Sequence, residues 1–181
     1  MSVIAIVSSP EMGGNTDMMV KAAAEGAKVN GKDVKVYYIN KLKNARGCQA
    51  CYGCKANGQG CVVEDDITEI LDDIMASDGV ILSVPVYFGQ PSAQYRIFED
   101  RLFGYLKADF SSICPSKKMA VFTAAGTAGA DELADQIEKR MQSFFKFESV
   151  GKLAVITKND KKYVENNADV QAQCRAIGAK F

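Results

Sequence analysis

The chain has 181 residues, with 22 basic and 22 acidic side chains and no histidine. This length predicts a single domain over residues 1–181, and the balanced charge argues against nucleic acid or a membrane surface as a partner held by bulk electrostatics. The missing histidine excludes Ser-His-Asp and Cys-His catalysis, histidine-ligated zinc and a histidine general base. If the protein is an enzyme, we therefore expect a cofactor to carry its chemistry.

The first ten residues, MSVIAIVSSP, have no basic region before their apolar run, so they predict a strand and not a signal peptide. The sequence has no window of about eighteen consecutive apolar residues, and a membrane span is therefore not expected. We expect a cytoplasmic protein. In that compartment thiols stay reduced, and clustered cysteines bind metal or take part in redox chemistry more often than they form disulfides.

Apolar strands alternate with amphipathic helices along the chain. The predicted strands are Val3–Ser8, Asp33–Ile39, Gly79–Val84, Lys118–Ala124 and Lys152–Thr157. Five helices are predicted. The first follows the first strand and ends at about Lys28, and the next three are Asp66–Ala76, about Ser92–Lys107 and a helix with Leu133, Ile137, Met141 and Phe144 on one face. The last is about Ala168–Ala179. This alternation predicts a three-layer, doubly wound α/β domain with a five-stranded parallel sheet and helices on both faces. Ligands of such domains bind outside the carboxyl ends of the strands.

Capping residues mark the starts of two predicted helices. Asn15 or Thr16 would cap the helix after the first strand. Asp66, with Glu69 three residues later, would form an aspartate variant of the capping box at the next helix. Each of these helix starts follows a segment with possible functional residues.

Three loops at predicted strand ends have residues suited to a ligand. After the first strand, SSPEMGGNT places hydroxyls and glycines before a helix N-terminus, where backbone N–H groups suit a phosphate. After the third strand, PVYFGQPS offers two aromatic residues beside a glycine, where a planar ring could pack. After the fourth, AAGTAGA allows the backbone close to a ligand. Each loop alone could be an ordinary turn, but their joint placement predicts one binding site.

Other α/β classes fit the sequence less well. The loop after the first strand contains neither the GK[ST] of a Walker A sequence nor the GxGxxG of an NAD-binding domain. A phosphate-accepting receiver domain needs acidic residues at strand ends to hold magnesium. Here the first and third strands end in Ser8-Ser9 and Ser83-Val84.

Four of the six cysteines lie in a cysteine-rich loop, at about residues 43–62, that lacks apolar periodicity. They have the spacing C-x2-C-x2-C-x6-C: Cys48, Cys51, Cys54 and Cys61. Two consecutive two-residue gaps suit three corners of a 4Fe–4S cubane, with the fourth thiolate further along. The alternatives are a structural zinc ion, a disulfide or thiol redox pair, or a loop without a stable metal. Cys114 and Cys174 stand alone and are expected to be structural.

The motifs Ser9-Pro10, Gly14-Asn15-Thr16 and Pro85-Val86-Tyr87-Phe88-Gly89, followed by Asp100-Arg101, resemble the flavodoxin-like NADPH-dependent FMN reductases. The cysteine run resembles the iron–sulfur flavoprotein branch of that group. The resemblance implies a sheet of order 2-1-3-4-5, FMN as cofactor and the four cysteines of the run as ligands of a 4Fe–4S cluster. It implies these cofactor-binding residues: Ser8, Ser9, Gly14, Asn15, Thr16, Pro85, Val86, Tyr87, Phe88, Gly89, Thr123, Ala124, Ala125 and Gly126.

Within that set, the resemblance implies that Ser9, Asn15 and Thr16 bind the phosphate. The motif after the third strand would line one side of the flavin ring. The loop after the fourth strand would approach the other side of the ring or its pyrimidine edge. The chain departs from the family at Glu11, where an arginine often stands. A carboxylate beside a phosphate is unfavourable unless it points away.

The function implied is that of an FMN-dependent oxidoreductase. It would take reducing equivalents from NAD(P)H or a ferredoxin and pass them to an acceptor that the sequence does not identify, and it would form a homodimer or homotetramer. No catalytic acid or base is expected, since Tyr87, the nearest candidate, is expected to pack. The alternatives are a non-enzymatic flavodoxin-like electron carrier and a zinc-stabilised α/β binding module.

Overall fold

A computed structural model describes residues 2–181 of the chain. The strands are β1 (Ser2–Val7), β2 (Asp33–Tyr38), β3 (Gly79–Tyr87), β4 (Gln90–Pro91), β5 (Lys118–Ala125) and β6 (Glu148–Ile156). Five of them are parallel, in the order β2-β1-β3-β5-β6, and the short β4 pairs antiparallel with β3 outside this path. The five parallel strands therefore have the predicted 2-1-3-4-5 order, and the flavodoxin-like fold is confirmed.

The helices cover both faces of this sheet. They are α1 (Asn15–Val29), α2 (Gly53–Asn57), α3 (Asp66–Ala76), α4 (Ala93–Arg101), α5 (Ala130–Phe145) and α6 (Ala168–Gly178). Two 3-10 turns, Ile39–Lys41 and Leu102–Tyr105, follow β2 and α4. Among residues 2–181, no helix has the length and apolar character needed to cross a membrane.

Strand β1 shows why the strands are continuous apolar runs. Ile4 and Ile6 pack into one buried cluster, to which α3, α4 and α5 contribute, whereas Val3, Ala5 and Val7 pack into a second cluster with α1 and α6. Successive side chains of a strand point to opposite faces, and here both faces are covered. The carboxyl ends of the strands consequently remain the accessible edge of the sheet.

Three predicted helix details differ from the structure. The helix after β3 ends at Arg101 and continues only as a 3-10 turn, not as an α-helix to Lys107. On α5, Phe144 is exposed, and Phe145 takes the buried place because its ring packs against Tyr105 and Phe147. The cysteine-rich loop contains the short helix α2, which its lack of apolar periodicity did not indicate.

The predicted cap of α3 was displaced by one residue. Asp65 is the N-cap: its carboxylate accepts a hydrogen bond from the first turn, and Thr68 Oγ1 accepts one from the Asp65 N–H at 3.0 Å. Asp66 instead accepts hydrogen bonds from the backbone N–H groups of Lys43 and Asn44, at 2.8 and 2.9 Å. Both carboxylates thus connect α3 to the chain that precedes the helix.

Candidate functional site

A cavity of about 340 Å³ opens at the carboxyl edge of the sheet, between the loops that follow β1, β3, β5 and β6. This volume falls in the range of small-molecule and cofactor sites. The predicted site residues that line it are Ser9, Gly14, Asn15, Thr16, Pro85, Val86, Tyr87, Ala124, Ala125 and Gly126. The cavity is also lined by Glu11, noted above as a departure from the family, and by four residues that the sequence did not single out: Thr157, Asn159, Asp160 and Lys161.

The remaining predicted site residues lie next to this cavity without lining it. Ser8 and Thr123 are fully buried, and Thr123 Oγ1 donates to the carbonyl of Ala130 at 2.8 Å. Phe88 is fully exposed, and Gly89 follows it at the end of β3. The structure thus brings the three predicted loops together but leaves these four residues outside the cavity surface.

Two hydroxyls near the end of β1 are buried without a partner within residues 2–181: Ser8 Oγ and Thr16 Oγ1. Buried polar atoms are nearly always hydrogen-bonded, so each such atom needs an explanation. Thr16 lines the cavity, and its carbonyl accepts a hydrogen bond from Ser83 Oγ at 2.9 Å. A ligand with acceptor oxygens at this end of the cavity would satisfy the Thr16 hydroxyl.

Helix α1 points its N-terminus at the same end. Its N-cap is Gly14, and no side chain of the described residues caps it, so the prediction of Asn15 or Thr16 as N-cap was wrong. The reason is that the Asn15 side chain reaches the loop after β6: Nδ2 donates to the Asp160 carbonyl at 2.8 Å, and Oδ1 accepts from the Val164 N–H at 2.9 Å. The first N–H groups of a helix without a capping side chain can bind an anion.

Asp17 orders the loop before α1 and was not recognised from the sequence. Its buried carboxylate accepts hydrogen bonds from the Gly13 N–H at 2.7 Å and from the Tyr38 hydroxyl at 2.9 Å, and it lies 3.1 Å from Lys21 Nζ. Burial, followed by this hydrogen bond, raises the pKa of Tyr38 to about 12, so Tyr38 keeps its proton and remains a donor. An acidic residue in the first turn of a helix was the available signal.

The carboxylate of Glu11 is paired with a lysine that also lines the cavity. Lys161 Nζ lies 3.0 Å from Glu11 Oε1, so the loop after β6 meets the loop after β1 at the exposed side of the cavity. Burial and the negative charge of Glu11 raise the pKa of Tyr87, which therefore stays protonated. Tyr87 is 47% exposed, so its packing role remains a prediction.

Strand β3 continues beyond its predicted end into a tight hairpin. Tyr87 pairs with Gln90, and the two residues between them, Phe88 and Gly89, have φ values of +51° and +72°. Two-residue hairpin turns with positive φ at both positions match the twist of the strands they join. The turn keeps Pro85, Val86 and Tyr87 on the strand, where they line the cavity.

A close contact joins the loops after β5 and β6. A Cβ atom at Gly126 would lie 2.2 Å from Asn159 Oδ1, so a side chain at this position would displace Asn159. Both residues line the cavity. The small residues at the end of β5, which were predicted to leave room for a ligand, therefore also leave room for the loop after β6.

The cysteine-rich loop carries free thiols. Cys48 and Cys51 are exposed, Cys54 is buried and Cys61 is partly buried. Among the described residues, no group of three or more cysteine or acidic side chains is arranged to hold one metal ion, so the four thiols do not converge in this structure. Their chemistry fits an iron–sulfur cluster, which needs four thiolates, but the loop would have to tighten to bring them together.

The other two cysteines have a different environment. Burial raises the pKa of Cys114 to about 11 and that of Cys174 to about 12. Both thiols pack in the hydrophobic clusters and are protonated at neutral pH. These environments fit the structural role expected for both residues.

The chain matches known proteins over most of its length. The profile of a family described as NADPH-dependent FMN reductase matches residues 1–162. An iron–sulfur flavoprotein from Methanosarcina thermophila is 29% identical over 159 residues, which cover 88% of this chain and 78% of that protein. Another, from Methanocaldococcus jannaschii, is 38% identical over 101 residues; the match covers 56% of this chain but only 51% of that relative.

The solved structure of an FMN-dependent NADH-azoreductase from Bacillus anthracis in complex with FMN has a TM-score of 0.69 to this structure. The superposition covers 99% of both chains at 14% sequence identity. At this identity the similarity shows the shared fold.

Proposed function

The chain belongs to the NADPH-dependent FMN reductase family, and we propose that it oxidises a nicotinamide nucleotide with FMN bound in the cavity at the carboxyl edge of the sheet. The membership confirms the predicted class, an FMN-dependent oxidoreductase. FMN, when bound, accepts a hydride and can release electrons singly or in pairs. The protein's own residues bind and orient it.

One observation carries the placement of the phosphate: the buried Thr16 hydroxyl lines the cavity and has no partner within residues 2–181. It stands in the first turn of α1, whose N–H groups suit an anion. We assign the phosphate to this turn, with Ser9 and Thr16 as side-chain donors. Because both polar atoms of the Asn15 side chain already have partners, Asn15 contributes its backbone and positions the loop after β6.

The flavin ring would lie between the end of β3 and the loop after β5. Pro85, Val86 and Tyr87 offer apolar and aromatic surface on one side, and Ala124–Gly126 offer small residues on the other. Small side chains let backbone groups approach the edge of a planar ligand. These residues would hold the ring and limit its contact with water.

We further propose that the four thiols of the cysteine-rich loop bind a 4Fe–4S cluster. The spacing and the four free thiols support this proposal, and the Methanosarcina relative carries the name iron–sulfur flavoprotein. The cluster would supply one-electron transfer to an acceptor. The loop follows β2 and therefore leaves the sheet at the same edge as the cavity.

We propose NAD(P)H, and not a ferredoxin, as the electron donor, and a homodimer or homotetramer as the assembly. The family description supports the donor. Support for the assembly comes from an apolar groove between the 3-10 turn after α4 and the C-terminal part of α5, where Phe110 and Phe144 are exposed. Exposed apolar patches of this kind are typical of interfaces between chains. Light scattering of the purified protein measures the assembly.

The function is tested with anaerobically purified protein. We expect flavin absorbance that NADH or NADPH bleaches rapidly, and iron and sulfide in equal amounts. Bleaching by reduced ferredoxin alone would support an electron carrier and contradict the proposed reductase. A colourless protein with zinc and no affinity for FMN would contradict the flavin and the cluster together.

A further inference from the structure

A buried ion pair joins α4 to the start of α3. Arg101, the last residue of α4, and Asp65, the N-cap of α3, lie 2.6 Å apart, and each side chain is only 1% exposed. Burying two charges is costly even when they pair. The cost is increased because Arg101 Nε is buried without an acceptor among residues 2–181.

Apart from the cap bond that the Ile67 N–H donates to Asp65 Oδ1, the other side-chain hydrogen bonds of this pair go to the two ends of the cysteine-rich loop. Arg101 Nη1 donates to the carbonyl of Arg46 at 3.1 Å, and Nη2 donates to the carbonyl of Val63 at 2.8 Å. Asp65 also accepts a hydrogen bond from the Arg46 N–H at 3.2 Å. Arg46 stands two residues before Cys48, and Val63 stands two residues after Cys61. One guanidinium thus fixes the chain just before the first cysteine and just after the last.

The segment that follows Arg101 contacts the loop between these ends. Lys55 Nζ donates to the Phe103 carbonyl at 2.6 Å and to the Leu106 carbonyl, and it lies 3.7 Å from the centroid of the Phe103 ring. Cys61 packs directly on Gly104, where a Cβ atom would lie 2.9 Å from the Cβ and the backbone nitrogen of Cys61. The segment 101–106, which we call the platform, therefore contacts the cysteine-rich loop at both ends, at Lys55 and at Cys61.

We propose that Arg101 and Asp65 are positioning residues for the metal centre: they hold both ends of the cysteine-rich loop in place, so that less of the loop has to be ordered when its four thiols close around one cluster. This inference rests on the proposed 4Fe–4S function. Ligands on a free loop must lose conformational freedom when they converge, and fixing both ends of the loop beforehand reduces that loss. Groups that orient metal ligands usually affect metal affinity strongly.

Two substitutions separate positioning from simple support of the fold. Asp65→Asn keeps a good helix cap but removes the charge that pairs with Arg101. Arg101→Lys keeps the charge but lacks the planar fork that reaches both carbonyls. Lys152→Gln is the control, because Lys152 Nζ pairs with Asp135 at 2.6 Å and neither residue lines the groove that contains Cys48. The double variant Arg101→Met/Asp65→Asn, which has no unpaired buried charge, replaces either single variant that fails to fold.

Each purified variant is reconstituted anaerobically with ferrous iron and sulfide. Iron and sulfide per chain, the electron paramagnetic resonance spectrum of the reduced protein, circular dichroism and FMN affinity are then measured. We expect Asp65→Asn and Arg101→Lys to fold and bind FMN as the wild type does, but to bind iron about tenfold more weakly or worse, with an altered spectrum. The Lys152→Gln protein should match the wild type.

The outcomes distinguish the two proposals. Wild-type iron content and an unchanged spectrum in both variants, or in the double variant, would overturn the positioning role while leaving the cluster in place. A wild-type protein that assembles no cluster would overturn the proposed cluster and, with it, this inference. Equal loss of iron in Lys152→Gln would show a general effect of losing an ion pair and would also overturn the positioning role.

Discussion

Lys161 and Glu11 meet 3.0 Å apart at the exposed side of the cavity and join loops that are 150 residues apart in the chain. The lysine comes from the loop after β6 and the glutamate from the loop after β1. Their pairing explains how a carboxylate is accommodated close to the turn that we assign to a phosphate. A bound anion would be repelled by the Glu11 carboxylate and attracted by the Lys161 ammonium.

The first prediction concerns this pair. Glu11→Gln should strengthen FMN binding about fivefold, because it removes a negative charge near the phosphate and leaves Lys161 unpaired. Lys161→Met should weaken binding by a similar factor. Quenching of flavin fluorescence during titration measures both affinities. The difference between the variants should shrink at high salt, as expected for exposed charges.

Glu25→Gln provides the control for that experiment. Glu25 pairs with Arg175 at 3.3 Å, on the surface between α1 and α6 and not in the cavity. Its loss should leave FMN affinity unchanged. If Glu11→Gln binds FMN no more tightly than Glu25→Gln does, the electrostatic account of this side of the cavity is wrong.

The second prediction uses two buried threonines with different partners. Thr16→Val should weaken FMN binding about tenfold and stabilise the FMN-free protein by about 1 kcal/mol, because the hydroxyl has no partner in the absence of a ligand. Thr123→Val should do the reverse: it loses the hydrogen bond to the Ala130 carbonyl, which lowers stability, and leaves FMN affinity unchanged. Urea denaturation and FMN titration measure the two effects.

The opposite pattern would contradict our assignment. If Thr123→Val impaired FMN binding and Thr16→Val did not, the ligand would contact β5 itself, at a residue that the structure buries. The phosphate would then have to lie away from the first turn of α1.

The third prediction concerns stability at alkaline pH. Burial raises the pKa of Cys174 from its ordinary value of 9.0 to about 12. The folded protein therefore keeps this proton while the unfolded chain loses it, so the thiol's contribution to stability is complete below about pH 9 and is lost as pH rises toward 12. Between pH 8 and 10.5 the free energy of unfolding should therefore fall by about 1 to 2 kcal/mol less in Cys174→Ala than in the wild type.

Urea denaturation of the metal-free protein at the two pH values measures this difference. The substitution also removes packing, but that cost does not depend on pH and cancels in the comparison. Parallel stability curves for wild type and Cys174→Ala would show that the thiol is not as well shielded as its burial implies.

The fourth prediction concerns the turn between β3 and β4. Phe88 has a φ of +51°, a conformation that is unfavourable for a bulky residue and is tolerated by asparagine. Phe88→Asn should therefore raise the free energy of unfolding by about 0.5 to 1 kcal/mol. Val29→Asn is the control, since Val29 is also exposed but lies in α1 and should gain nothing. Equal effects in the two variants would exclude relief of backbone strain as the cause.

Much of the fold could be predicted because the sheet is buried on both faces. Strands such as Gly79–Val84 are then nearly all apolar, and their alternation with helices fixes the class. The boundaries were less accurate. Asp65 and Asp66 are adjacent carboxylates, and only the hydrogen bonds of the folded chain decide which of them caps α3.

The candidate site was likewise predicted in part: three of its loops were found from the sequence, and one was not. The loops after β1, β3 and β5 were found because glycine, hydroxyl and aromatic residues follow predicted strand ends. The loop from Thr157 to Lys161 was missed because its polar residues are those of any surface loop, and its place in the cavity depends on β6 pairing with β5. The platform for the cysteine-rich loop was missed for a similar reason: Arg101 and Asp65 are 36 residues apart, and no local pattern links them.

The most direct test of the account is a crystal structure of the protein with FMN. We predict the phosphate at the N-terminus of α1, within hydrogen-bonding distance of Thr16 Oγ1, and the flavin ring between Tyr87 and the loop after β5. FMN bound elsewhere, or bound with its phosphate away from α1 and Thr16 Oγ1 still without a partner, would contradict the central claim.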